Sequence, residues 1–198
     1  MDKRIIKTKK NLYNTLLELL EEKPFDKITV TELCDRADTS RITFYTHYKD
    51  KKDLFREFFD LRAQDVVARY EELQSKNNPN HDPLQGYHNR LDAIFEIYFA
   101  HERFFDSAFP DKSLDFTSPF YWHVVGHFNE LEKEYSAWFE SEGSNKHMSV
   151  VITAGLLGFI SACTEEKMSK TAIKKEGHAI LERLLVGNAF ESKSEKQD

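Results

Sequence analysis

Ile28-Thr-Val-Thr-Glu-Leu-Cys-Asp-Arg-Ala-Asp-Thr-Ser-Arg-Ile-Thr-Phe-Tyr-Thr-His-Tyr-Lys-Asp-Lys-Lys-Asp-Leu54 carries three helix starts and one tight turn. Thr29-Val30-Thr31-Glu32 reads as a capping box, in which the Thr29 hydroxyl accepts from the Glu32 amide and the Glu32 carboxylate reaches back to the Thr29 amide. Ile28 and Leu33 stand at the two positions of a hydrophobic staple. This helix is short and ends near Ala37, and Asp38-Thr39 makes a turn. Thr39 or Ser40 caps a third helix, Arg41 to about Tyr48, and Asp50 caps a fourth, Lys51 to about Gln74. Two short helices joined by a tight turn at 29–48 have the geometry of a helix-turn-helix, whose second helix would lie in the DNA major groove. Ile42 and Phe44 cannot both face solvent without cost, so at least one packs inward. Arg41, Thr43, Tyr45 and His47 are left as groove-facing candidates. Arg can pair with guanine in bidentate fashion, and Thr can offer a methyl to thymine or a hydroxyl to phosphate. The Tyr45 and Tyr48 hydroxyls suit phosphate oxygens, and Lys51 adds a cation to the free amides of a helix start. The same stretch also suits short helices that are merely packed together.

Outward from this stretch, Leu12, Leu16, Leu19 and Leu20 give one apolar face to a first helix over Lys3–Glu22, which Pro24 ends. Ser75 to Pro83 is polar and proline-bounded, the clearest break in the chain. Beyond it the spacing predicts helices over about 84–106, 119–141, 148–168 and 171–189, with an irregular stretch at 107–118. No strand-like alternation and no repeat is found. The expected fold is all-α: a three-helix helix-turn-helix head at 1–49, a helical-bundle body at 50–190 and a frayed tail at 191–198.

Only 7 Gly and 5 Pro in 198 residues favour long helices. The net charge of −6 is unevenly spread: residues 1–55 carry +2 and the remainder −8. A mildly basic head on an acidic body fits a DNA-facing head on an effector-binding or dimerising body. Two distant thiols, Cys34 and Cys163, suggest a reduced, cytoplasmic protein. No apolar run approaches the ~20 residues of a membrane helix, and the N-terminus lacks the apolar stretch of a signal peptide.

The 28–54 stretch resembles the DNA-binding signature of the TetR family of transcription regulators. The matching elements are the Thr29 cap, Ala37 before the turn, Ser40, Thr43, Tyr45, Tyr48, Lys51 and Leu54. The resemblance implies that Thr29, Ser40, Arg41, Thr43, Tyr45, Tyr48 and Lys51 touch DNA, mostly at phosphate, and His47 joins them from the helix-face reading. Two positions depart from the pattern. Asp38 replaces the usual turn glycine, a change that a residue tolerant of the left-handed region can survive. Ile42 replaces the usual small residue, which alters base readout. The run from Arg41 to Lys51 resembles the subgroup that contains the dihydroxyacetone-kinase operon activator, whose partner is a protein. The family further implies a helical body with an effector cavity and a homodimer interface on the last two helices.

Beyond residue 55 there is no self-contained motif. Val151, Ala154, Leu157, Ile180 and Leu184 supply apolar faces for a dimer interface, and an intramolecular core would use them equally well. Phe95, Tyr98, Phe99, Phe120 and Trp122 could line a cavity for an apolar effector or simply form core. His123 and His127 stand four apart with Glu130 one turn on, a spacing able to hold zinc, but further ligands are not evident and no metal or cofactor is expected. Scattered Ser, His and Asp without a nucleophile elbow, and no glycine-rich phosphate loop, argue against an enzyme. The expected partners are double-stranded operator DNA, a second copy of the chain and a small-molecule effector that releases a repressor from its operator. The alternative is a body that docks a partner protein instead.

Overall fold

The computed structural model describes residues 3–108, 121–127 and 145–185, and every regular element among them is helical. The elements are α1 (Lys3–Glu22), a single 3-10 turn (Phe25–Lys27), α2 (Val30–Arg36), α3 (Arg41–His47), α4 (Lys51–Asn77), α5 (Pro83–Ala100), α6 (Glu102–Ala108), α7 (121–127), α8 (Asn145–Glu165) and α9 (Lys170–Leu185). They fall into two compact units, one of residues 1–64 and 100–123, the other of 65–99 and 124–198. Phe120, the Glu130 position and the 191–198 tail lie outside the described residues.

In the first unit, α1 buries Leu12, Leu16, Leu19 and Leu20 along one stripe. Each fully buried Leu contributes roughly 1.5–3 kcal/mol of apolar transfer. Against it pack Ile28, Leu33 and Phe44 from the helix-turn-helix, all at most 1% exposed. An aromatic wall closes the other side. Phe104 stacks on Phe55 with centroids 4.2 Å apart and lies 4.5 Å from Phe58, which in turn meets Tyr13 edge-on at 5.6 Å.

Here the helix expected to run unbroken over 84–106 is two helices. The chain bends at His101, whose carbonyl accepts from the Phe104 and Phe105 amides and so starts α6. The bend turns Phe104 into the first-unit core, a tertiary gain that periodicity along one helix does not register.

In the second unit the polar break is a built turn. Asn78 is 3% exposed and its amide donates to the Asp82 carbonyl at 2.9 Å, while its carbonyl oxygen accepts from the Asp82 amide at 2.7 Å. Asp82 then caps α5 through the Gln85 amide. Against α9, α5 approaches closely. A Cβ on Gly177 would lie 2.8 Å from Phe95 Cζ, so a residue without a side chain is needed where that ring crosses. Phe95 also neighbours Phe99 and Phe159 at 5.9 and 6.2 Å.

Candidate nucleic-acid interface

The α2 start is half of the expected capping box. The Thr29 hydroxyl accepts from the Glu32 amide at 3.2 Å, but the Glu32 carboxylate turns to Lys23 Nζ, 2.6 Å away. An ion pair at that distance outcompetes a bond to an exposed amide. After α2 the chain turns through Asp38 at φ 49°, in the left-handed region, where a short polar side chain substitutes for glycine. The Thr39 amide closes the turn on the Cys34 carbonyl at 3.0 Å. Ser40 is the cap of α3: its hydroxyl accepts from the Thr43 amide at 3.0 Å and bonds the Thr43 hydroxyl at 2.9 Å.

These caps fix which face of α3 points outward. Phe44 is fully buried and Ile42 is 83% exposed, which settles the choice between them. Arg41, Ile42, Tyr45 and Thr46 line one open, shallow depression, and Tyr45 is 50% exposed. Thr43 and His47 are half-buried at the edges of this face. Lys49 and Lys52 are exposed just beyond the end of α3. Thr46 and Lys49 were not among the expected contacts. Thr46, four residues from Ile42, lies on the same face of α3 once Ile42 is known to be the outward residue, whereas Lys49 follows the end of the helix, after Tyr48 has turned to extended backbone.

Two residues expected at phosphate are engaged elsewhere. Lys51 Nζ donates to three backbone carbonyls, those of Phe25, Asp26 and Ile28, at 2.8, 3.0 and 2.7 Å. The ammonium also lies 4.7 Å from the Phe25 ring centroid. Its three protons are spent tying the α1–α2 connection to the start of α4, and burial holds its pKa below the ordinary lysine value. Tyr48 is 3% exposed, and its hydroxyl donates to the Tyr13 hydroxyl at 3.3 Å. Burial pushes the Tyr13 phenol up to about 12, and burial together with Tyr13 pushes Tyr48 higher still, so this link stays neutral. Lys9 pairs with Glu57 at 2.6 Å and sits 5.4 Å over the Tyr48 ring, closing the same wall. Asp50 caps α4 as expected, accepting from the Asp53 amide at 2.9 Å.

In the other unit, Phe95 and Tyr98 are buried, and Phe99 is half-buried 5.5 Å from Tyr98. Trp122 is 46% exposed beside Tyr121 in the first unit. Of the apolar positions on α8 and α9, Val151, Ile180 and Leu184 are 66%, 38% and 64% exposed, while Ala154 and Leu157 are half-buried. His123 is paired through Nε2 with Asp60 at 2.5 Å. No helix among the described residues is long and apolar enough to cross a membrane.

Residues 12–58 match the family model described as bacterial regulatory proteins, tetR family. That span covers the buried stripe of α1, the turn through Asp38 and the exposed face of α3. YxbF, an HTH-type transcriptional regulator of Bacillus subtilis (strain 168), is 26% identical over 86 residues. The match takes in 43% of this chain and 22% of YxbF, so the chain spans about a fifth of that relative's length. A putative TetR-family transcriptional regulator from Syntrophomonas wolfei superposes over 91% of this chain and 95% of its own with a TM-score of 0.72 at 13% identity. The dihydroxyacetone kinase operon activator DhaS superposes over 93% and 98% with a TM-score of 0.58 at 15% identity, a likeness of fold. Residues 12–58 are thus similar to the DNA-binding segment of bacterial regulatory proteins of the tetR family, and the chain as a whole shares the all-helical fold of the two solved structures.

Proposed function

We propose that the chain is a sequence-specific DNA-binding regulator of transcription that works as a homodimer and is released from its operator by a small molecule. The observation that carries the DNA reading is the outward face of α3. An exposed Ile42 has no core to serve, and with Arg41, Tyr45 and Thr46 it forms an apolar and donor-bearing surface matched to base edges in a major groove. In this reading Arg41 takes a guanine edge, Ile42 meets a thymine methyl, Tyr45 and Lys49 hold phosphate, and the hydroxyls of Thr29, Ser40 and Thr43 keep spare capacity for phosphate oxygens. Lys51 and Tyr48 act indirectly, by fixing the angle at which α3 leaves the head. The exposed Val151, Ile180 and Leu184 support a dimer face on α8 and α9, the arrangement that sets two recognition helices about one DNA turn apart. The apolar effector is what the family resemblance implies for the body; the α5 ring of Phe95 is itself packed against Gly177, Phe99 and Phe159.

Selection of genomic fragments by the purified chain tests this reading, followed by titration of the enriched sequence. Arg41→Ala should relax preference at one operator position by about 1–3 kcal/mol. Lys49→Ala should weaken all sequences alike and reduce the salt slope by about one unit. Leu184→Glu should convert the sedimenting species to monomer. Failure to enrich any sequence, or a monomer in the unaltered chain at micromolar concentration, overturns the proposal. If operator release required another protein and no small molecule in a metabolite screen, the effector part of the reading would give way to a partner-docking body.

A further inference from the structure

The two halves of α1 carry opposite charge, and each half has the wrong sign for its end of the helix. Residues 3–17 include Lys3, Arg4, Lys7, Lys9 and Lys10 and no acid, while Glu18, Glu21 and Glu22 occupy the other end. The helix dipole is positive at the N-terminus and negative at the C-terminus, so a helix by itself prefers acids first and bases last. At the C-terminal end the head relieves the conflict, because Arg36 clasps both carboxylate oxygens of Glu22 at 2.5 and 2.7 Å. At the N-terminal end Lys9 pairs with Glu57. Lys3, Lys7 and Lys10 take part in none of the head's ion pairs among the described residues.

These three lysines recur at i, i+4 and i+7 and are all exposed. They make one side-chain face two turns long, on the side opposite the buried Leu12, Leu16 and Leu19. Like charges at such spacings repel, whereas a face that is merely solvated gains from alternating acids and bases. The neighbouring side of the same turns is docked on the end of α3. Lys9 Nζ lies 5.4 Å over the Tyr48 ring, and the Tyr48 hydroxyl meets that of Tyr13 at 3.3 Å. Tyr48 closes α3 and the exposed Lys49 follows it, so the basic half of α1 and Lys49 flank the same end of that helix.

We propose that Lys3, Lys7 and Lys10 hold phosphates of the duplex DNA that flanks the bases read by α3. The inference rests on the reading of α3 as the recognition helix. At 1.5 Å per residue the face is about 10 Å long, enough to follow a run of phosphates and not a single one. Lysine is a point charge on a flexible stem, so these contacts add affinity without reading sequence. The polyanion also supplies the negative charge that the first turns of α1 lack, so the arrangement that weakens the free helix is matched in the complex.

The test titrates the full-length chain, by fluorescence anisotropy over a salt series, with the operator it enriches and with a long duplex of random sequence. The triple variant Lys3→Gln, Lys7→Gln, Lys10→Gln should weaken both duplexes by the same factor and lower the salt slope by about one unit for each lysine removed. Arg41→Ala should weaken the operator alone. Lys3→Glu should raise the melting temperature of the free chain by about 1–4 °C, because an acid then stands in the first turn, while it weakens both duplexes. Circular dichroism establishes that each variant is folded. If the unaltered chain binds DNA and the triple variant keeps its affinity and salt slope, the proposal is overturned and the reading of α3 stands. If the unaltered chain binds neither duplex, that reading falls and this inference with it. A triple variant that loses binding to phosphatidylglycerol vesicles but not to DNA overturns the proposal in favour of a membrane surface.

Discussion

Tyr45 and Tyr48 lie three residues apart on the same helix end, and Lys49 and Lys51 lie two apart, yet within each pair the two residues have opposite surroundings. Tyr45 and Lys49 face solvent. Tyr48 is sealed against Tyr13, and Lys51 is bound by three carbonyls. Residue type alone would give all four to a phosphate backbone. What divides them is the wall behind α3, built from α1, the 3-10 turn and the first turns of α4. The lesson is that a DNA-reading face needs a rigid back, and that a chemically suitable side chain serves whichever side it faces.

The strongest test of that division is Phe44→Ala. Phe44 is fully buried at the centre of the wall, and truncation of a buried Phe costs about 3–5 kcal/mol. Denaturant unfolding followed by circular dichroism should show a loss of that size, against a change within about 0.5 kcal/mol for the exposed Ile42→Ala two residues away. Equal losses would remove the distinction between face and back.

Lys51→Met comes next. It keeps the stem and deletes three charge-assisted bonds, and a loss of about 2 kcal/mol is expected on the scale of such bonds at a half-buried site. Lys49→Met should leave the melting temperature unchanged. If Lys51→Met is neutral for folding and costs DNA affinity only, Lys51 belongs to the face after all.

A comparable contrast holds at Gly177. Alanine there should lose about 1–3 kcal/mol by overpacking against Phe95, offset by roughly 1 kcal/mol of helix propensity. Gly155, whose Cβ would meet nothing within 4 Å, should gain stability on the same substitution. A Gly177→Ala variant as stable as Gly155→Ala would show that the helices part easily.

The smallest effect is a pH dependence. His88 has a pKa below its ordinary value in the folded chain, through burial and then His178. The unfolded chain therefore binds more protons as pH falls through the ordinary histidine range, and the stability present above about 6.5 declines below it. In metal-free buffer the melting temperature should fall between about pH 7 and 5. His88→Asn should flatten that slope. A steeper slope in the variant would assign the effect to other groups.

The sequence by itself determined the elements whose causes are local. The Ser40 and Asp50 caps, the Asp38 turn and the apolar stripe of α1 depend on residues within a few positions of one another, and the structure has each of them where the spacing predicts it. The exposed face of α3 was half legible: Arg41 and Tyr45 follow from residue type, but the outward Ile42, and with it Thr46, needed the knowledge that Phe44 takes the core. The rest was decided by contacts between positions far apart in the chain. Glu32 left its own helix start for Lys23, nine residues back. Lys51 closed on carbonyls 23–26 residues earlier, Tyr48 on a hydroxyl 35 residues earlier. His88 met His178 across 90. The break at His101 followed from the place that the first-unit core offers Phe104. Short-range hydrogen bonds are set by backbone geometry that repeats in every helix, whereas long-range partners depend on how helices cross, and that crossing is fixed only when all the apolar faces are packed together.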